Sequence, residues 1–386
     1  MSLFFPPEWV KSLKMTNQGL WEKSLLFLQN LSKEDRVAVF YDDDGDGVSA
    51  AGVTVAAIIK LRGRPPEIVQ PFGKSDTYIS LDLPEMLKRM QITKFIALDK
   101  AVDQMGQDFV DELGSVCSTI VIDHHSSSQS HGNENVLIVK PHFVWETESA
   151  SFPTAILSFT LFSSVVDLPD KDWVACIGVT SDSSYPRWKN FVDKALEKYS
   201  LPPVNNDPFH SAFGVIDNMI FSVNAVSPSQ LPEFLGLLVE AKHPSEVIQS
   251  GFYPLLKLIE DETQFWMDKL ETEIVSFPEL ELFVAKIRPR HPVKSLVINR
   301  LSRERYPNKT VLLFQKIAGE KLLVSARRQD YHVPMNALLE ETVKGLSEAT
   351  GGGHVPAAAA MIRLEDEELF LEKVKKIIRE KYLSTK

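Results

Sequence analysis

The chain is short of cysteine, of long apolar runs and of positive charge. Its 386 residues include two cysteines, Cys117 and Cys176. Two thiols cannot build a disulfide framework, and both fall in apolar runs that read as buried strands, so inert thiols in a reducing compartment are expected. The longest apolar stretch, FPTAILSFTLFSSVV from Phe152, is too short and too rich in hydroxyls to span a bilayer. The start, MSLFFPPEWVKSL, lacks the basic region and long apolar core of a signal peptide. These absences exclude a disulfide-stapled secreted scaffold and a helical membrane protein. They lead to the expectation of a cytoplasmic protein with no membrane partner.

The net charge of −10 argues against a polyanionic partner, but its distribution argues for one. Lys286 to Arg328 carries twelve lysines and arginines against two acids, Glu304 and Glu320, a net +10. A basic stretch in an acidic chain suggests one face for nucleic acid, with a merely solvated charged face as the alternative.

What the sequence does have is an aspartate-rich turn. In AVFYDDDGDGVSAAGV, residues 38 to 53, four aspartates and two glycines stand between an apolar run and a small-residue run. RVAVFY reads as a buried strand, and the residues after the turn read as a helix ending near Gly63. EIVQPF, KFIALD, STIVID and WVACIGVTSD read as further strands, separated by helical segments. Such alternation predicts an α/β unit over residues 1–204, a parallel sheet with helices on both faces. Residues 205–278 have long-helix periodicity and are expected to form a helical connector. Residues 279–386 return to strands (ELFVAKI, TVLLFQKI, KLLVSAR) and helices, a smaller mixed α/β domain.

Three chemistries compete for the aspartates. Asp42, Asp44, Asp46 and Gly47 fit the early positions of a calcium EF-hand, but Val53 stands where the loop needs its bidentate glutamate, and a strand precedes it. DGDGV from Asp44 also fits a phosphatase with an aspartate nucleophile, but only Asp182 offers the late acid that chemistry requires. The third reading uses more of the chain. FIALD ends in Asp99, VIDHH ends in Asp123, His124 and His125, and GVTSD ends in Asp182. Carboxylates and imidazoles gathered at strand ends suit hard divalent ions such as manganese or magnesium, which would also relieve their repulsion.

With DDDGDG, LD, DHH and VTSD in that order, the chain resembles the DHH phosphoesterase superfamily. ATGGGHVPAAAA near the C-terminus looks like the signature of the associated DHHA1 domain, and VSARR resembles that domain's arginine motif. The resemblance implies two divalent ions, manganese preferred and magnesium the alternative. One would use Asp42, Asp44 and Asp99; the other Asp46, Asp99, His124 and Asp182. Asp123 and His125 would orient the site or touch the phosphate, and His354 would donate to a non-bridging oxygen. Ser325, Arg327 and Gly351, Gly352 and Gly353 would hold substrate phosphate. Within the superfamily the chain looks most like archaeal RecJ-like exonucleases. The implied activity is release of mononucleotides from single-stranded DNA or RNA in repair or replication, with 3′–5′ polarity favoured. A helicase or replication protein, or a second copy of the chain, would be its protein partner. A phosphodiesterase of short oligonucleotides or dinucleotides is the enzyme alternative, and a non-catalytic replication scaffold the non-enzyme one.

Overall fold

The computed structural model describes residues 7–73, 79–127, 132–205 and 207–383. The first six residues of the opening segment lie outside them. The chain divides into two units, Met1–Leu256 and Lys257–Lys386.

The first unit is built on five parallel strands: β1 (Val37–Tyr41), β2 (Ile68–Pro71), β3 (Lys94–Leu98), β4 (Ser118–Ile122) and β5 (Val136–Val139). All five residues of β1 are buried, as a strand covered on both faces requires, so it reads as a continuous apolar run. The spatial order β2-β1-β3-β4-β5 reverses direction beside β1, the switch point where α/β sheets open a crevice at their carboxyl ends. The register pairs Tyr41 with Leu98, Leu98 with Ile122, and Ile122 with Val139. The residues that follow are therefore Asp42, Asp99, Asp123 and Lys140, one row across four neighbouring strands. Backbone bonds continue the ladder into that row: Asp42 N–H to Leu98 O (3.2 Å), Asp99 N–H to Ile122 O (3.0 Å) and Asp123 N–H to Val139 O (3.1 Å).

Two expectations are corrected in this unit. WVACIGVTSD is not a strand but the helix Asp172–Ser181, with Asp182 at its C-terminal end. Every residue from Trp173 to Thr180 is buried, so the run shows no amphipathic period, and a fully buried helix reads like a buried strand. Cys176 therefore lies in a helix and Cys117 just before β4, both buried and free. The segment 205–278, expected as a helical connector, lies within the first unit as far as Leu256. Its helices Ala212–Val226 and Leu231–Glu240 pack on helices Asp172–Ser181 and Gly45–Arg62, with Phe213, Ile216, Phe234 and Leu238 fully buried in the first unit's core. Their apolar stripes need cover, and the nearest available core supplies it.

The second unit holds a six-stranded sheet in the order β10-β11-β9-β8-β7-β6. Its strands are β6 (Val275–Phe277), β7 (Leu282–Ile287), β8 (Thr310–Ile317), β9 (Lys321–Arg327), β10 (Thr350–Gly353) and β11 (Ala357–Arg363). Only β7 and β8 run parallel, which makes the sheet mixed as expected. Helices Met335–Val343 and Glu367–Ile377 contribute Leu338, Leu339, Phe370 and Val374 to its core.

Candidate metal centre

The first motif is shaped by helix capping. Asp44 is the N-cap of helix Gly45–Arg62, its Oδ1 accepting the Gly47 N–H at 2.9 Å. Asp46, in the first turn of that helix, is fully buried and caps a different helix. Its carboxylate accepts the amides of Thr154 (2.6 Å) and Ala155 (2.9 Å) at the start of helix Thr154–Ser163. Gly178 makes room for this: a Cβ there would stand 2.2 Å from Asp46 Oδ1 and 2.6 Å from Ala155 Cβ.

The strand-end residues close around Asp46. Asp99 leaves β3 with φ of 57°, in the left-handed region, and its Oδ1 accepts the Thr154 hydroxyl at 2.8 Å. His124 Nε2 lies 3.6 Å from Asp99 Oδ1 and 3.2 Å from Asp182 Oδ2. His125 Nδ1 bonds Asp123 Oδ1 at 2.7 Å and lies 3.9 Å from Asp99. Ligand atoms of two groups gather within 4.8 Å: Asp46, His124 and Asp182, and Asp99, His124 and His125. His124 is common to both groups.

The electrostatics show what this crowd lacks. Burial, then repulsion from Asp44, pushes the Asp46 carboxyl up to about 7. Burial, then Asp46, Asp44 and Asp217, pushes Asp182 up to about 9, and Asp99 is raised well above its ordinary value for similar reasons. His124 goes the other way, down to about 4, through burial and the charge on His125. A neutral imidazole thus faces a carboxyl that keeps its proton, the place a divalent cation would take. The residues fit one such ion: two or three carboxylate oxygens and one imidazole.

Several participants were not anticipated. Lys140 is fully buried; its ammonium forms ion pairs with Asp103 Oδ1 (3.0 Å) and Asp123 Oδ2 (2.9 Å) and donates to the His125 carbonyl (2.7 Å). Burial alone would raise Asp123, but the His125 hydrogen bond and the Lys140 charge outweigh it and hold the carboxyl at about 2. Lys100 Nζ pairs with both oxygens of Asp42, at 3.2 and 3.1 Å. Asp217, from the helix expected in the connector, is hydrogen-bonded to Ser181 and pushed up to about 7 by burial and by Asp44. On the same helix Asn224 Nδ2 donates to the Asp43 carbonyl at 3.2 Å. None of these residues belongs to a motif; each meets the site only through folding. Asp42 and Asp44 fall in neither ligand group among the described residues.

The remaining anticipated residues lie together in the second unit. Arg327 ends β9 and pairs with Ala357, while Ala358 pairs with both Ala326 and Gly353, so the arginine and the GGGH turn share one corner of the sheet. GGG is a strand with a tight exit rather than a loose turn. Gly353 has φ of 141°, and a Cβ there would stand 2.6 Å from Ala358 Cα. His354 is exposed, its backbone bonded to Ala357, and Ser325 is buried in β9. Arg327 Nε donates to Asn299 Oδ1 at 3.0 Å. Half-buried Lys294 has its pKa lowered by burial first and by the charge of Arg327 second. Arg327 is lowered too, by burial and then by Arg303.

Comparison with known proteins places these observations. The DHHA1 domain family matches residues 289–380. Among curated protein sequences, none matches the chain. Among solved structures, RecJ from Thermus thermophilus in complex with Mn2+ has a TM-score of 0.64 at 18% identity, over 97% of this chain. This chain spans 56% of that protein's length. CDC45 from Entamoeba histolytica aligns with a TM-score of 0.52 at 11% identity, covering 93% of this chain and 98% of that one. The pGpG-specific phosphodiesterase PggH from Vibrio cholerae has a TM-score of 0.51 at 11% identity, covering 89% and 98%. At these identities the likeness is one of fold.

Proposed function

We propose, for a chain that carries a DHHA1 domain behind a DHH-type parallel sheet, that it is a divalent-cation-dependent phosphodiesterase, an exonuclease of single-stranded nucleic acid. The observation that carries this reading is the Asp46, His124 and Asp182 group, with Asp99 beside it, at the carboxyl ends of the strands. Manganese is the preferred ion, magnesium the alternative; the T. thermophilus RecJ structure holds Mn2+. Asp46, Asp99, His124 and Asp182 would hold the cation, which supplies an acidified water and charge neutralisation at phosphorus.

The chain's own groups do the rest. His125 is half-exposed, and its Nδ1 on Asp123 leaves Nε2 turned away from that bond. The Asp123 hydrogen bond raises its pKa, which favours the imidazolium that would donate to a non-bridging phosphate oxygen. Asp42 and Asp44 hold the charge and shape of the motif turn. In the second unit Arg327 presents its guanidinium, with Lys294 alongside, to a backbone phosphate, while Ser325, the Gly351–Gly353 strand and His354 shape the corner around it. The basic stretch from Lys286 to Arg328 suits a strand of nucleic acid running past that corner. Release of mononucleotides with 3′–5′ polarity, a cytoplasmic setting and a replication or repair protein, or a second copy of the chain, as partner complete the proposal.

The test is a product time course with manganese on single strands of graded length, DNA and RNA, labelled at either end. A ladder shortening from one end of a long strand supports the exonuclease and gives its polarity. Turnover of the shortest oligomers alone replaces it with a dinucleotide phosphodiesterase, the reading favoured by the shared fold of PggH. Absence of hydrolysis on every substrate sinks both.

A further inference from the structure

We infer that Lys100 is a resident cation standing in for one of the two ions expected at this site, so that the chain binds a single divalent cation. The inference rests on the metal centre proposed above. It starts from the register of the sheet. Tyr41 pairs with Leu98, which sets Asp42 beside Asp99 and brings Lys100, the next residue, over Asp42. The ammonium reaches both oxygens of that carboxylate, and the two side chains are only 12% and 24% exposed.

The row of strand ends shows a pattern. Of its three acids, Asp42 is matched by Lys100 and Asp123 by Lys140. Asp99, between them, has no lysine partner among the described residues; it accepts a neutral hydroxyl from Thr154. The acids that gather ligand atoms around His124 are Asp46, Asp99 and Asp182, none of which has a lysine partner among the described residues, and Asp42, which has one, is absent from both groups. A protonated lysine has no lone pair and cannot ligate. An ion on Asp42 would have to displace the ammonium or sit beside a like charge in a poorly solvated turn, which weakens it by about 100-fold or more. The ammonium is also a point charge held at the motif turn, able to neutralise a phosphoryl oxygen brought against it.

The experiment counts ions. Metal-stripped protein is titrated with Mn2+ by calorimetry, and bound manganese is measured by elemental analysis and electron paramagnetic resonance. The wild-type chain is expected to bind one ion tightly, with the signal of an isolated manganese. Lys100→Gln is expected to bind two, with an exchange-coupled signal, and Lys100→Gln combined with Asp42→Asn to return to one. Two ions of comparable affinity in the wild-type chain overturn the inference while leaving the metal centre standing; this decides even where the variant fails to fold. A folded Lys100→Gln that still binds one ion overturns it too. No tight ion in the wild-type chain overturns the metal centre itself, and this inference with it.

Discussion

The two units carry opposite surpluses of charge. The first gathers Asp46, Asp99 and Asp182 around one neutral imidazole, and no lysine or arginine among the described residues pairs with them. The second brings Arg327 and Lys294 together with no carboxylate in ion-pair contact with either among the described residues. Each unit also holds a matched version of the same chemistry a few residues away. Asp123 and Asp103 share the fully buried Lys140. Arg328, next to Arg327, is 2% exposed and bound by Glu281 and Asp330, with Arg328 Nη2 at 2.7 Å from Glu281 and Nε at 2.7 Å from Asp330. A folded chain tolerates unmatched charge only where something else completes it. The contrast therefore separates ions paired within the fold from ions left without an oppositely charged partner, and it does so between neighbouring residues of the same type.

The contrast can be broken most decisively at an unmatched acid. Asp182→Asn should lower hydrolysis by about 1,000-fold or more and remove the tight manganese ion, with the circular-dichroism spectrum and melting profile intact. Retained hydrolysis would refute the site. A matched charge should show the reverse. Lys140→Met leaves Asp103 and Asp123 buried and unpaired, and should cost about 3–5 kcal/mol in a urea titration. The arginine pair sharpens the comparison within two residues. Arg328→Ala should cost about 2–4 kcal/mol, since its partners are partly exposed. Arg327→Ala should cost under about 1 kcal/mol yet raise the Michaelis constant about 10-fold or more. Equal stability losses for the two arginines would erase the distinction.

A further expected effect is on pH dependence. Asp46 and Asp182 are raised in the folded state to about 7 and about 9, above the 3.8 of the unfolded chain. A group raised in this way contributes stability below its unfolded value and loses it as pH rises through its folded one. The metal-free protein should therefore melt at progressively lower temperature between about pH 5 and pH 9, and added manganese should restore more at higher pH, where it no longer competes with protons. A melting temperature flat over that range, with and without manganese, would contradict the assignment of these two carboxyls.

Most of the acids were legible because they come in runs. DDDGDG and DHH place their chemistry within a few residues of sequence at the end of a clear apolar strand, and the parallel sheet follows from the alternation of elements. The lysines were not legible. Lys100 and Lys140 look like ordinary turn residues until the register sets them beside Asp42 and Asp123, and Asp217 comes from a helix with no motif at all. The helix Asp172–Ser181 was misread because burial on every side removes the period that separates helix from strand. β11 was missed because its AAAA run carries no strand signal, and pairing with β9 and β10 overrides that preference.

One consequence concerns timing rather than affinity. The carboxylate of Asp46 is engaged twice, by the first amides of helix Thr154–Ser163 and by any cation the site accepts. Whatever draws electron density from that carboxylate loosens its hold on Thr154 and Ala155, and whatever fixes it in place tightens that hold. On the proposed function, the start of this helix would report occupancy of the site. Deuterium uptake at those two amides, followed over minutes, would tell loaded molecules from empty ones in a mixed sample without any substrate present.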